Sequence, residues 1–430
     1  MFKKIVLKFL GLIFASCFVL TVTNVDFKTI FSLNENTPIT LSSIEELNNE
    51  NLLGKFVKTK ITEDIWTTGG TKEKKTSLLI KLFGFIPIKK TSVVVCDDKS
   101  VYLGGVPLGF SISTKGVIVV GTNSVISARD KKNNNKLISG DIVTKINNVD
   151  IFNVDDINKI LQESNGNDVD VTFIRDGKEQ NAKLTPILDA QTKLYKLGIW
   201  IRNEAQGIGT LTFVTEDNEF GALGHSISDY ETGVKIPVND GNIYPCTMLG
   251  ITKGEKGKAG ELRCLFVQGS LSNGIIEKNT NCGVFGEITN DENIIDKNLS
   301  CPIASRLLVR VGKAKIISSV SGIREEYDIE IIKTYNQHSS SDKSFIFRVK
   351  DKRLLELTGG IVQGMSGSPI VQDGKLIGAV THVFLYDPTK GYGVYSDWML
   401  NEVSWRIFIV FKNKHCLLYT SPSPRDPKTC

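Results

Sequence analysis

The sequence predicts a mainly β protein: a small strand–helix module followed by a longer region of short strands that closes into a barrel or sandwich. Three observations carry that reading. With 38 Gly against 12 Pro in 430 residues, the chain is built for turns rather than long helices. From residue 196 onward, short apolar segments recur at the roughly 8 to 12 residue spacing of all-β domains, with no helical period among them. Between residues 101 and 187 a single helical stretch, near 154–162, is embedded among strand-like runs. The length predicts two or three domains at roughly 100 to 200 residues each. An apolar fraction of 41% excludes a disordered chain.

The elements follow in order. Lys3, Lys4 and Lys8 precede an uncharged run over 9–22, the pattern of an export signal or membrane anchor over residues 1–23. Residues 24–96 read as a polar spacer giving way to apolar strand material, 97–188 as the strand–helix module and 196–402 as the strand-rich domain. Within the module, Ser139-Gly140-Asp141-Ile142-Val143 runs into Lys145-Ile146-Asn147, and a helix starts after Asn153. This arrangement resembles a PDZ domain. The string Pro107-Leu108-Gly109-Phe110 is then expected to offer backbone donors to a peptide carboxylate, with Leu108, Gly109 and Phe110 shaping the groove and a strand edge accepting the peptide. Plain core packing is the competing role for these side chains.

Charge and cysteine usage exclude several functions. A net charge of +5 from 52 basic and 47 acidic residues, without a basic stripe, implies no nucleic-acid partner. The eight cysteines include no Cys-x-x-Cys pair, which removes the usual support for zinc ribbons and thioredoxin-like sites. Cys264, Cys282 and Cys301 lie close enough in sequence for a disulfide in an exported domain; isolated buried thiols are the plainer alternative.

The chemistry concentrates in Gly364-Met365-Ser366-Gly367-Ser368-Pro369, followed by an apolar hairpin. Gly-x-Ser-Gly-x-Pro resembles the nucleophile loop of chymotrypsin-like serine peptidases. Small residues around Ser366 allow a tight loop whose Gly364 and Ser366 N–H groups can face a developing oxyanion. A serine alcohol needs a base, and the chain has four histidines: His225, His338, His382 and His415. His225, flanked by glycine at a strand end, is the leading base. His382 competes, although its apolar strand suits the wall of the substrate cleft. The order His, Asp, Ser selects Asp351 as the group that fixes the imidazole, with Asp217 and Asp229 as competitors beside His225.

The strings LFGFIPIKK, GDIVTKINN, LGIWIRNEAQGIGTLTF, FGALGHSISD, TGGIVQGMSGSPIVQDGKLIGAVTHVF and GYGV together resemble the SpoIVB (stage IV sporulation protein B) peptidase family, over about residues 75 to 402. The resemblance implies a PDZ-like domain followed by a chymotrypsin-like double β-barrel serine peptidase domain. It implies His225 as base, Asp351 as orienter, Ser366 as nucleophile and Gly364 in the oxyanion hole, with no metal or organic cofactor. It further implies export from the forespore into the intermembrane space, self-cleavage, and cleavage of a membrane-bound inhibitor of an intramembrane metalloprotease, which releases a late sigma factor. The protein partners are thus a substrate at the membrane and the chain itself. A catalytically inactive scaffold that binds a membrane partner is the alternative. The 403–430 tail departs from the family, and CLLYTSPSPRD resembles translated adapter DNA.

Overall fold

The computed structural model describes residues 37–40, 57–68, 71–82, 85–96, 100–123, 136–291, 294–306, 308–335, 337 and 339–403. The expected signal or anchor, His338, His415 and the tail after residue 403 lie outside the described residues. Among the described residues no helix is long and apolar enough to cross a membrane.

An N-terminal sheet comes first: β1 (Thr37–Thr40), β2 (Val57–Thr68), β3 (Thr71–Leu82) and β4 (Ile86–Cys96), in the order β1-β4-β3-β2. A short strand, β5 (Ser100–Leu103), then leads to β6 (Pro107–Thr122). The first half of β6 belongs to a barrel and its second half to the PDZ-like module. The module continues with β7 (Ile142–Ile146), β8 (Val149–Asp150), α1 (Val154–Glu163), β9 (Val169–Arg175), β10 (Lys178–Leu184), β11 (Ile187–Leu188) and β12 (Tyr195–Lys196). The helix begins where expected because Asn153 and Asp156 form a capping box, each side chain accepting from the other's backbone N–H. Asp141 is buried yet satisfied: it accepts from Arg175 Nε at 2.7 Å and Nη2 at 2.6 Å and from the Ile138 N–H at 2.8 Å. Ile146, Ile157, Leu161, Val171 and Phe173 form this module's own core.

The chain returns to the barrel along β13 (Ile199–Val214), then β14 (Glu219–Ala222), β15 (Val238–Pro245), β16 (Thr247–Thr252), β17 (Gly260–Leu265), β18 (Gly274–Thr280) and β19 (Gly283–Ile288). The first barrel runs β6-β15-β18-β19-β14-β13 and closes through β6–β13 pairing. Leu108, Phe110, Ile112, Leu211, Phe220 and Ile243 fill it. The PDZ-like module is therefore inserted between two adjacent barrel strands, where the sequence reading set it wholly before the peptidase region. Strands β6 and β13 run as one ribbon through both units, and their register shifts between Arg202 and Glu204, where the barrel hands over to the module.

This topology corrects the expected peptide groove. Gly109 pairs with Ile208 of β13 on one edge and Tyr244 of β15 on the other, and Leu108 and Phe110 are buried in the barrel core. The string reads as a loop, but the alternation in PLGFSIST continues through it and carries it as a barrel strand. The edge left open beside α1 is that of Ile199–Arg202 at the start of β13; among the described residues no strand pairs with its outer side. Gln162 of α1 exchanges hydrogen bonds with both backbone groups of Tyr195, setting the helix beside Leu197-Gly198-Ile199. In the sequence, that second Leu-Gly-apolar string reads only as one of the short strands that begin the longer domain.

The second barrel follows β20 (Ser300–Pro302), which extends the first sheet through β5. Its strands are β21 (Gly312–Ser318), β22 (Glu325–Thr334), β23 (Phe345–Val349), β25 (Pro369–Gln372), β26 (Lys375–Val383) and β27 (Lys390–Tyr395). They close in the order β21-β22-β23-β27-β26-β25 around Ile316, Tyr327, Phe345, Phe347, Ile370 and Val394. Helix α2 (Lys352–Thr358) follows β23 and helix α3 (Ser396–Leu400) ends the domain. Between α2 and β25, the short strand β24 (Val362–Gln363) pairs with β17 in parallel.

Candidate active site

Ser366 lies on the loop from β24 to β25, where the two barrels meet. The Thr210 N–H of β13 donates to the Ser366 carbonyl at 2.8 Å, and the Thr210 and Thr212 hydroxyls donate to the Gly364 and Gly367 carbonyls, each at 2.7 Å. Gly367 N–H donates to Val380 O at 2.8 Å and Ser368 N–H to Met365 O at 2.9 Å. The first barrel thus clamps the loop of the second. The N–H groups of Gly364 and Ser366 take no part in these bonds, and Gly364, at φ 95°, adopts a left-handed conformation suited to glycine. The Ser366 hydroxyl donates to the Thr381 carbonyl at 2.8 Å.

His225 follows β14 on the facing barrel. Its Nδ1 lies 2.9 Å from the Ser226 carbonyl, which selects the tautomer with the proton on Nδ1 and leaves the Nε2 lone pair as acceptor. The ring is half-buried and lies against His382, with centroids 5.1 Å apart and planes tilted by 42°. Burial pushes the His225 pKa below the ordinary histidine value, partly opposed by the Ser226 carbonyl and the charge of Asp342. His382 is pushed down to about 4, first by burial and then by His225, against the pull of Asp342. Its Nδ1 is buried without a hydrogen-bond partner and its Nε2 is 3.7 Å from Asp342 Oδ2. His382 therefore stays neutral and forms a wall beside His225.

The structure does not bring Asp351 to this cluster. Its carboxylate caps α2, accepting from the Arg353 N–H at 2.9 Å, Arg353 Nε at 3.2 Å, Arg353 Nη2 at 2.9 Å and the Asp328 N–H at 3.3 Å. Arg353 holds the Asp351 carboxyl below its usual range, while burial opposes. These partners occupy both carboxylate oxygens, and none is a histidine. Asp229 is likewise consumed by Thr232, Glu231 and Arg202, and Asp217 sits exposed in the turn before β14. The acidic group whose charge acts on both His225 and His382 is Asp342, whose carbonyl is held by the Thr381 hydroxyl at 2.7 Å. Among the described residues no cluster of three or more His, Cys, Asp or Glu could hold a metal ion.

Residues 193–400 match the family described as SpoIVB peptidase S55. They are an S55 peptidase domain. The protein is a serine peptidase. No curated protein matches the chain. Among solved structures, the PDZ domain of the SdrC-like protein from Listeria monocytogenes is 18% identical, covers 20% of this chain and 87% of that one, and gives a TM-score of 0.17. The Rv3671c protease from M. tuberculosis in its active form is 12% identical over 46% of this chain and 73% of that one, with a TM-score of 0.27. Its inactive form is 11% identical over 45% and 82%, with a TM-score of 0.26.

Asp342 of the S55 domain escaped the sequence reading because it sits in the polar run HSSSDKS, which looks like a solvated turn. The only signal was its place shortly before an apolar strand. Exchanging the two aspartates separates their roles. Asp342→Asn is expected to lower kcat about 10- to 100-fold, less than loss of a direct orienting carboxylate, because the Ser226 carbonyl still fixes the tautomer. Asp351→Asn is expected to spare kcat and to destabilise the fold by at most about 1 kcal/mol, through loss of the ion pair with Arg353 rather than of the helix cap, which Asn supplies equally well. Steady-state kinetics and thermal melts of both variants decide; equal loss of kcat in the two would refute the assignment.

The pH profile of the S55 domain follows from the same groups. The base must be neutral to accept a proton, and its folded pKa lies below the ordinary 6.5. The acidic limb of kcat/KM is therefore expected to have its midpoint below 6.5. Asp342 raises the His225 pKa, so Asp342→Asn should move that midpoint lower still. A midpoint above the ordinary value would show that His225 is not the titrating base.

Proposed function

We propose that the chain is a sporulation endopeptidase in which Ser366 is the nucleophile and His225 the general base. The carrying observation is the nucleophile loop held by Thr210 and Thr212, with His225 and His382 facing one another beside it. For attack, the Ser366 hydroxyl turns from the Thr381 carbonyl towards His225 Nε2. His225 takes the proton and returns it to the leaving amine, then activates water for deacylation. The N–H groups of Gly364 and Ser366 receive the oxyanion. The imidazolium formed on the way is stabilised by the Ser226 carbonyl and by Asp342 across the cluster.

The substrates in this reading are the chain itself and a membrane-bound inhibitor of an intramembrane metalloprotease, whose cleavage triggers late sigma-factor activation. The enzyme acts after export from the forespore into the intermembrane space, anchored to the membrane or released by processing. An extended target segment adds to the open edge at Ile199–Arg202 by β-augmentation. Mass spectrometry of the purified full chain, as wild type and as Ser366→Ala, tests the enzyme. Cleavage is expected only in the wild type. If the wild type binds the membrane inhibitor but cuts neither it nor itself, the chain is a scaffold.

A further inference from the structure

We propose that Asn279 is a positioning residue for catalysis, acting on His225 through the single peptide group that joins Ser226 to Ile227. The proposal rests on the reading of His225 as the general base, and it supplies the orienting contact that Asp351 does not. Sheet register sets Asn279 within reach: it pairs with Val284 of β19, and Val284 pairs with Ala222 at the end of β14. Beyond Ala222 the chain turns back through Leu223 at φ 67° and Gly224 at φ 70°. It passes close over Gly283, where a Cβ would lie 2.6 Å from the Ala222 carbonyl oxygen and 3.4 Å from the Gly224 nitrogen. The turn carries Ile227 to the Asn279 side chain.

The Asn279 amide is engaged on both sides. Its Oδ1 accepts from the Ile227 N–H at 2.9 Å, and its Nδ2 donates to the Ile227 carbonyl at 2.7 Å and to the Ile236 carbonyl at 2.9 Å. Exchanging N and O would set donor against donor and acceptor against acceptor, so these partners fix which way the amide faces. The Ile227 N–H and the Ser226 carbonyl belong to one planar trans unit and point to opposite sides of the chain. Holding the N–H on Asn279 therefore aims the carbonyl the other way, where it lies 2.9 Å from His225 Nδ1. The same bond polarises the peptide group and makes its oxygen a better acceptor for the imidazolium proton. A peptide group free to turn would release Nδ1 and let the proton occupy Nε2, the tautomer that cannot take a proton from Ser366.

Three variants of the full chain in detergent test the assignment. Asn279→Ala removes the hold on the peptide group. Asn279→Asp keeps an acceptor for the Ile227 N–H and loses the two donated bonds. Thr232→Ala loosens the tip of the same loop, where the hydroxyl donates to Asp229 Oδ1 at 2.9 Å, without touching that peptide group. Nitrogen NMR of isotope-labelled histidine, in chains kept intact by Ser366→Ala and with His225→Gln to assign the signal, reads the tautomer of neutral His225. Kinetics in chains that retain Ser366 read kcat and KM. Asn279→Ala is expected to mix the tautomers and to lower kcat about 100-fold with KM within about twofold of wild type. Asn279→Asp is expected to keep the proton on Nδ1 with kcat within about tenfold of wild type, and Thr232→Ala to leave both readouts unchanged. A proton that stays on Nδ1 in Asn279→Ala overturns the proposal. So does loss of that tautomer in Asn279→Asp, which would give the role to the donated bonds that brace the loop; should Asn279→Ala fail to fold, this second spectrum decides. The tautomer is read without turnover, so a wild type that cuts nothing would defeat the peptidase reading and leave this result standing.

Discussion

Ser366→Ala is expected to lower kcat/KM on a peptide substrate by about 10⁴- to 10⁶-fold, the loss seen when the nucleophile of a cooperating serine–histidine unit is removed. The fold should survive. The hydroxyl donates one hydrogen bond, to the Thr381 carbonyl, so its removal costs about 1 kcal/mol. His225→Ala should cost activity to a similar degree, and the double variant little more than either alone, because the two side chains act as one unit. Kinetics with a thermal melt on each variant measure both quantities. Retention of more than about a tenth of wild-type kcat/KM by Ser366→Ala would remove Ser366 from the mechanism.

Gly367→Ala is expected to be the most destabilising single-atom change in the active site. A Cβ at Gly367 would lie 2.0 Å from the Thr210 carbonyl oxygen and 2.5 Å from the Leu223 nitrogen, both main-chain atoms of the first barrel, at a φ of 97°. Neither neighbour is a flexible side chain, so the barrels must part or the loop must rebuild, at a cost on the order of 3 kcal/mol or more. Activity should fall with stability, because the Thr212 bond to Gly367 helps to hold the Ser366 loop. Gly374→Ala is the control: its φ is 76°, but nothing lies within 4 Å of an added Cβ. There the cost is backbone strain alone, about 1 kcal/mol. Urea midpoints measure the contrast, and equal shifts for the two would show that the barrels do not meet at Gly367.

What could be read in advance divides along a physical line. The Ser366 loop was legible because a tight turn is written in consecutive residues, and the hairpin β25–β26 follows as expected from apolar runs around Gln-Asp-Gly. The helix over Val154–Glu163 was legible because its cap is local. Asp342 was not, since its reach to His225 and His382 depends on how the loop before β23 packs on Thr381. Asp351 misled for a related reason: it fits the order His, Asp, Ser along the chain, but Arg353 two residues on captures its carboxylate. Leu108 and Phe110 show the same limit, because whether a strand edge is open depends on partners far away in sequence, here β13 and β15.

The insertion of the PDZ-like module between β6 and β13 bears on the order in which the molecule can fold. These strands are neighbours in the first barrel, yet the whole module separates them in sequence, so direct closure would be slow and entropically unfavourable. The module has a core of its own, and its folding brings Val119 and Ile201 into register, leaving only the adjoining stretches of the same two strands to zip. The module thus acts as a splint for a barrel that it does not fill. A substitution in its core, at Ile157 or Phe173, should slow assembly of the barrel around His225 while leaving every catalytic side chain unchanged.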